Sequence, residues 1–192
     1  KERSVMKFSM KKVTVLLADG FEEIEALTVV DLLRRAKVYV DTVSITDDYT
    51  VRGAHGIPVQ TEDLITEIDF KESDMIVLPG GMPGTTNLKE DENVRKAVQE
   101  AYDDGRYVAA ICAAPTILAD MGLLKGKRAT CYPDMESEIE DAYLTGAPVA
   151  TDENIITSQG VGTAIDFALK LIEVLISEEK AVEIADSIVY QR

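Results

Sequence analysis

The stretch Tyr107-Val108-Ala109-Ala110-Ile111-Cys112-Ala113-Ala114 decides the fold. Its first five residues are a short apolar run of the kind that makes a strand buried on both faces. The alanines after Cys112 open a helical pattern that the sequence predicts over residues 113–121, ended by Gly122. With Ala110 and Ala114 two places to either side, the cysteine has the form small-x-nucleophile-x-small. A nucleophile elbow requires that form because its turn is tight and strained, and bulky flanks would clash. A sulfur at a helix N-terminus should also have its thiolate favoured by the dipole and free amides, which lowers its pKa. A buried cysteine packed as a small hydrophobe fits the same residues, so the pattern alone leaves both readings open.

Two further runs end in the same manner. Residues 13–18 form a short apolar strand broken by Asp19-Gly20, and residues 75–78 form another closed by Pro79-Gly80-Gly81. Between them the sequence predicts a helix over 22–36, opened by Glu22, Glu23 and Glu25 and closed by Arg34 and Arg35, as the helix dipole favours. A second strand covers 38–45, and residues 49–62, with Gly53, Gly56 and Pro58, read as a hairpin or edge excursion. A polar helix is predicted over 88–104 with Gly105 as its cap. Short strands follow near 128–131, 149–150 and 155–158. After Gly160 and Gly162 come an apolar helix over 164–176 and a last helix over 179–190. Strands alternating with helices imply an α/β sandwich with a mostly parallel sheet covered on both faces. Ligands in such sheets gather beyond the carboxyl ends of the strands, where Asp19-Gly20, Gly80-Gly81 and Cys112 all fall. Residues 12–192 are expected to form one domain, with 1–11 an extension ahead of the first strand.

Composition narrows the function classes. Lys and Arg number 20 against 35 Asp and Glu, a formal net charge of −15, which repels phosphate backbones and anionic lipid alike. Nucleic acid and membranes are therefore not expected partners. Two cysteines, Cys112 and Cys131, are too few for a disulfide scaffold and fit a reducing compartment. No apolar run reaches membrane-spanning length, and residues 1–10 lack a signal peptide's apolar core, so a cytoplasmic location is expected. Neither a phosphate-binding P-loop nor a metal-ligand cluster is evident, so no cofactor or metal is expected.

Four blocks then align the chain with a known group. They are Ala18-Asp19-Gly20-Phe21-Glu22-Glu23-Ile24-Glu25, Val77-Leu78-Pro79-Gly80-Gly81, Ala109-Ala110-Ile111-Cys112-Ala113-Ala114-Pro115-Thr116 and Thr157-Ser158-Gln159-Gly160-Val161-Gly162-Thr163. In this order and spacing the chain, from about Lys12 to Ser177, resembles the ThiJ/PfpI superfamily and its DJ-one-like branch. The resemblance implies a flavodoxin-like three-layer sandwich, usually homodimeric, with Cys112 as its reactive centre. It makes Glu25 the acid that hydrogen-bonds the sulfur, an arrangement that works when Glu25 is protonated, since a neutral carboxyl can donate to a thiolate. By the same resemblance Gly80 and Gly81 are backbone donors near the sulfur, with Ala113 and Tyr132 at the binding pocket. Glu22 and Glu23 read as structural or solvated acids of the helix's first turn, and Cys131 as structural.

Two departures bear on activity. A histidine follows the cysteine in the superfamily's protease-like branch, where this chain has Ala113. Tyr132 stands where many DJ-one relatives with glyoxalase activity have a histidine. The chain's sole histidine, His55, falls near a family arginine that approaches the partner subunit's pocket, and is expected at the surface or an interface. The leading expectation is a reactive-cysteine protein of oxidative or carbonyl stress, with peroxide oxidising Cys112 to sulfenate and sulfinate. The alternative is a glyoxalase or deglycase in which Cys112 adds to a 2-oxoaldehyde and Glu25 moves protons, weakened by Tyr132. Thiazole monophosphate biosynthesis, an older label of the superfamily, has no motif behind it. Peptidase action lacks an imidazole at both Ala113 and Tyr132.

Overall fold

Successive residues of the central strands are all buried yet point to opposite layers, which is why these runs carry no polar alternation. Val13, Val15, Met75, Val77, Ala109 and Ile111 pack into one core, and Leu16, Ile76, Leu78, Val108 and Ala110 into the other. The computed structural model describes residues 10–191, so most of the extension expected over residues 1–11 lies outside the described residues.

The elements are β1 (Lys12–Leu17), α1 (Glu23–Arg35), β2 (Tyr39–Ser44), β3 (Thr50–Arg52), β4 (Pro58–Gln60), β5 (Asp63–Leu64) and β6 (Met75–Leu78). They continue as α2 (Gly84–Glu90), α3 (Glu92–Asp103), β7 (Tyr107–Ile111), α4 (Pro115–Asp120), β8 (Arg128–Ala129) and β9 (Tyr143–Leu144). The last are β10 (Val149–Asp152), β11 (Ile155–Ser158), α5 (Ala164–Leu175) and α6 (Glu178–Ser187). The main sheet runs β10-β11-β7-β6-β1-β2-β5, parallel throughout except that β10 pairs antiparallel with β11. From β1 the chain moves outward to β2 and then returns to β6 on the other side of β1, so the strand order reverses between β1 and β6. Helices α1, α5 and α6 supply the layer over one face, and α2, α3 and α4 the layer over the other. This is the three-layer, mostly parallel sandwich the sequence implied.

Details differ where short polar signals compete with periodicity. The helix expected over 88–104 is two helices, because Asp91 ends α2 in an extended conformation and its side chain accepts from Val94 N to begin α3. The predicted hairpin is β3 paired antiparallel with β4, and the two-residue β5 that follows pairs with β2. The strand expected at 128–131 shrinks to β8, which pairs with β9 outside the main sheet. The helix expected from residue 113 begins only at Pro115.

Phe167 of α5 is fully buried in the core shared with α1 and β1. Phe167→Ala should lower stability by roughly 3–5 kcal/mol, measured by urea denaturation, because the surrounding layer cannot collapse into the space.

Candidate active site

Cys112 adopts φ +65°, a left-handed conformation that costs a non-glycine residue roughly 1–3 kcal/mol and persists only where the surroundings fix it. Two hydrogen bonds do so: its N–H donates to Ser158 O of β11 at 2.9 Å, and its carbonyl accepts from Tyr132 N at 2.8 Å. The backbone therefore has the geometry expected of an elbow, and it presents a partly buried sulfur beyond the end of β7.

Glu25 reaches the sulfur because α1 starts directly after β1 and is tied to the end of β6. Glu22 N donates to Gly80 O at 2.9 Å, and Gly80 N donates to Glu25 Oε1 at 3.0 Å. A β-carbon on Gly80 would stand 2.6 Å from Glu25 Oε1 and 2.7 Å from Cys112 Cβ, so only glycine lets the three meet. Glu25 is fully buried, and its Oε2 has no hydrogen-bond partner. That oxygen and Cys112 Sγ lie 4.0 and 3.8 Å from where a β-carbon on Gly160 would stand, so both border the same small space.

Burial pushes the Glu25 carboxyl from its ordinary 4.5 up to about 7, with the Glu22 charge adding to the rise and the Cys112 thiol and Gly80 amide opposing it. Burial likewise pushes the Cys112 thiol up to about 12, helped by the charge and hydrogen bonding of Glu25, while the Ala113 amide works the other way. The expectation of a helix-lowered thiol pKa is thus corrected. The helix starts three residues later, is only six residues long, and leaves burial and the carboxylate to dominate. The outcome turns on Glu25's proton. When Glu25 is ionised it repels a thiolate; when protonated it can donate to one, so the two groups titrate as a pair.

The other expected residues separate. Ala113 lies in the turn after the elbow, its amide serving the sulfur. Gly80 is at the site, but its N–H is committed to Glu25 rather than free for an oxyanion. Gly81 answers to the turn instead: its φ is +93°, and a β-carbon there would meet Glu22 N and Gly20 O. Tyr132 is 44% exposed, and its ring edge lies 3.8 Å from the same Gly160 position that faces the sulfur. Cys131 is buried, donates to Tyr132 O at 3.3 Å, and has its thiol pushed up to about 11 by burial, all consistent with a structural role. Gly160 and Ser158 are site residues that the sequence reading did not single out. Their position at the end of the strand beside β7 was the available signal. Glu22 and Glu23 are buried rather than solvated, and His55, at the surface, faces both.

With this geometry in place, comparison with known proteins is specific. The DJ-1/PfpI family profile matches residues 11–174, and the chain belongs to that family. Protein DJ-1 homolog B of Arabidopsis thaliana is 39% identical over 97% of this chain, which spans 43% of that protein's length. The Schizosaccharomyces pombe protein named glutathione-independent glyoxalase DJ-1 is 34% identical, with 89% of this chain and 94% of that protein covered. A solved structure described as Toxoplasma gondii DJ-1, oxidized, superposes with a TM-score of 0.90 at 36% identity, covering 95% of this chain and 100% of that one.

A carboxyl whose pKa is higher folded than unfolded favours the folded state below its unfolded value and loses that advantage as pH rises through the folded one. For Glu25 the window runs from 4.5 to about 7. Wild type should therefore lose stability relative to Glu25→Gln between pH 4.5 and 7.5 in urea denaturation. An unchanged difference across that range would show that Glu25 does not titrate there.

Proposed function

We propose that this chain is a reactive-cysteine protein of the oxidative or carbonyl stress response, in which Cys112 attacks a small electrophile and Glu25 manages the proton. The observation that carries the reading is the buried Glu25 carboxyl, poised near neutrality, with an unpartnered oxygen beside the sulfur. With peroxide, the thiolate attacks one oxygen and the O–O bond breaks. The departing hydroxide takes the Glu25 proton and leaves as water, the sulfur becomes a sulfenic acid, and that acid returns its proton to Glu25 as it ionises to sulfenate. A second peroxide oxidises it to sulfinate and releases a second water. A protonated Glu25 can then donate to a sulfinate oxygen and hold that state. The Toxoplasma relative is described as oxidized, which supports an oxidisable group in a protein of this fold.

The second reading is glyoxalase-type turnover, favoured by the name of the fission yeast relative, a glutathione-independent glyoxalase, and by a Glu25 pKa suited to a general base. Here the thiolate adds to the aldehyde carbon and the resulting oxyanion takes the Glu25 proton. The Glu25 carboxylate then removes the C1 hydrogen as a proton and returns a proton to C2, while the C1 hydroxyl proton passes to the C2 oxygen. Water hydrolyses the thioester, giving a 2-hydroxy acid and the free thiol. Tyr132 offers no imidazole to share the proton work. With it in place, wild type should form lactate from methylglyoxal slowly while peroxide readily converts Cys112 to sulfinate, followed by intact mass. Tyr132→His should raise turnover, within the roughly 10²–10⁴-fold that a well-matched acid–base group contributes. Cys112→Ser should abolish both reactions. A wild type that forms neither sulfinate nor lactate would sink the proposal, whereas fast wild-type turnover would put the enzyme reading first.

A homodimer completes the proposal. Ile24, Leu27 and Ile57 stand 52%, 37% and 51% exposed around a groove of about 560 Å³ that Leu32, Ile165 and Ile188 also line. A second copy of the chain is the occupant the family resemblance implies. Among the described residues no helix is long and apolar enough to cross a membrane. Sedimentation equilibrium at micromolar concentration should give twice the 21.0 kDa chain mass, and Leu27→Glu should shift it toward the single chain. A wild-type protein that sediments only at the chain mass rejects the dimer.

A further inference from the structure

His55 reaches two buried carboxylates. Glu22 and Glu23 are 8% and 4% exposed at the start of α1, while His55 arrives from the loop between β3 and β4. His55 Nδ1 stands 3.2 Å from Glu23 Oε1 and 3.3 Å from Glu22 Oε2, and one ligand atom from each residue falls within 4.8 Å of the others. Around a tetrahedral zinc ion with bonds of roughly 2.0–2.2 Å, neighbouring ligand atoms sit about 3.3–3.6 Å apart. Two edges of the cluster already have nearly that length.

Charge points the same way. Among the described ion pairs neither Glu22 nor Glu23 meets a lysine or arginine; both meet only His55. A neutral imidazole has one N–H to offer from Nδ1, yet two carboxylate oxygens face it. A cation among the three groups would be bound by both oxygens and by the nitrogen lone pair together. The ligands are also held in advance. Both oxygens of Glu23 accept from His55 N–H, at 3.1 and 3.0 Å, and Glu22 Oε1 accepts from Ile24 N at 3.3 Å. Gly53 leaves room for the Glu23 carboxyl, which a β-carbon there would overlap. In the single chain the His55 side chain is 68% exposed, so water reaches a fourth position there.

We propose that Glu22, Glu23 and His55 form a binding site for a divalent transition-metal ion of the zinc type, clamping the β3–β4 hairpin to the start of α1. One imidazole and two carboxylates suit zinc or cobalt(II) rather than magnesium or calcium, which take six or more oxygens. The site was illegible in the sequence because His55 lies 32 residues from Glu23. It stands independently of the function proposed for Cys112.

The test uses the full chain carrying Cys112→Ser and Cys131→Ser alongside wild type, so that thiolates cannot account for binding. Zinc alone is titrated by calorimetry and cobalt(II) alone by visible absorption, each with and without excess magnesium. One ion per chain is expected in both proteins, with tetrahedral cobalt bands and no effect of magnesium. His55→Ala should weaken binding at least about tenfold, as should Glu22→Gln, with folding of each variant checked by circular dichroism. Zinc should also slow hydrogen exchange across residues 50–60. The proposal is overturned by no binding, by loss of binding in the cysteine-free chain, or by His55→Ala and Glu22→Gln proteins that bind as the parent does.

Discussion

Everything at the candidate site depends on one missing side chain. Gly80 stands where the Glu25 carboxyl, the Cys112 β-carbon and the end of β7 converge, and its own amide and carbonyl are the groups that tie α1 to the sheet. The peptide segment that ends β6 thus positions the acid and leaves space for the nucleophile at once. A methyl group there would have to displace a buried carboxyl or the elbow itself, and both are fixed by the strands behind them.

That convergence explains why the electrostatics of the pair should not be read from either residue alone. A thiol buried beside a carboxylate is a poor nucleophile, and a carboxylate buried beside a thiol is a strained anion. Moving one proton from sulfur to carboxyl exchanges one buried anion for the other, giving an anion on sulfur and a neutral donor next to it, and the higher pKa of the thiol makes that transfer uphill in the resting site. The chemistry open to such a pair favours small, weakly charged electrophiles, because Glu22 adds a further negative charge close by.

The centre of the sheet was legible because β1, β6 and β7 are short, mostly apolar runs closed by Asp19-Gly20, Pro79-Gly80-Gly81 and Cys112. The elbow was legible from Ala110 and Ala114, and the partnership of Cys112 with Glu25 from the resemblance rather than from spacing. What escaped the sequence was set by tertiary geometry. The start of α4 at Pro115, and with it the sulfur's electrostatic setting, depends on a three-residue turn that periodicity does not register. The uses of Gly80 and Gly81 depend on what lies opposite each, and a sequence shows two identical residues. The Asp91 cap that splits one expected helix into two, and the two-residue strands β5, β8 and β9, carry too few residues for a periodic signal.

Helix α1 faces two ways. Its inner side carries Glu25, Val29 and Leu33 into the core, and its outer side shows Ile24 and Leu27 to whatever covers the groove. A helix of thirteen residues, hydrogen-bonded throughout and anchored to Gly80 at its first turn, behaves as a lever rather than as a string of independent side chains. Contact on the outer side is therefore made with the same rigid element that carries the carboxyl. In this architecture the exposed groove and the acid beside the sulfur share one helix.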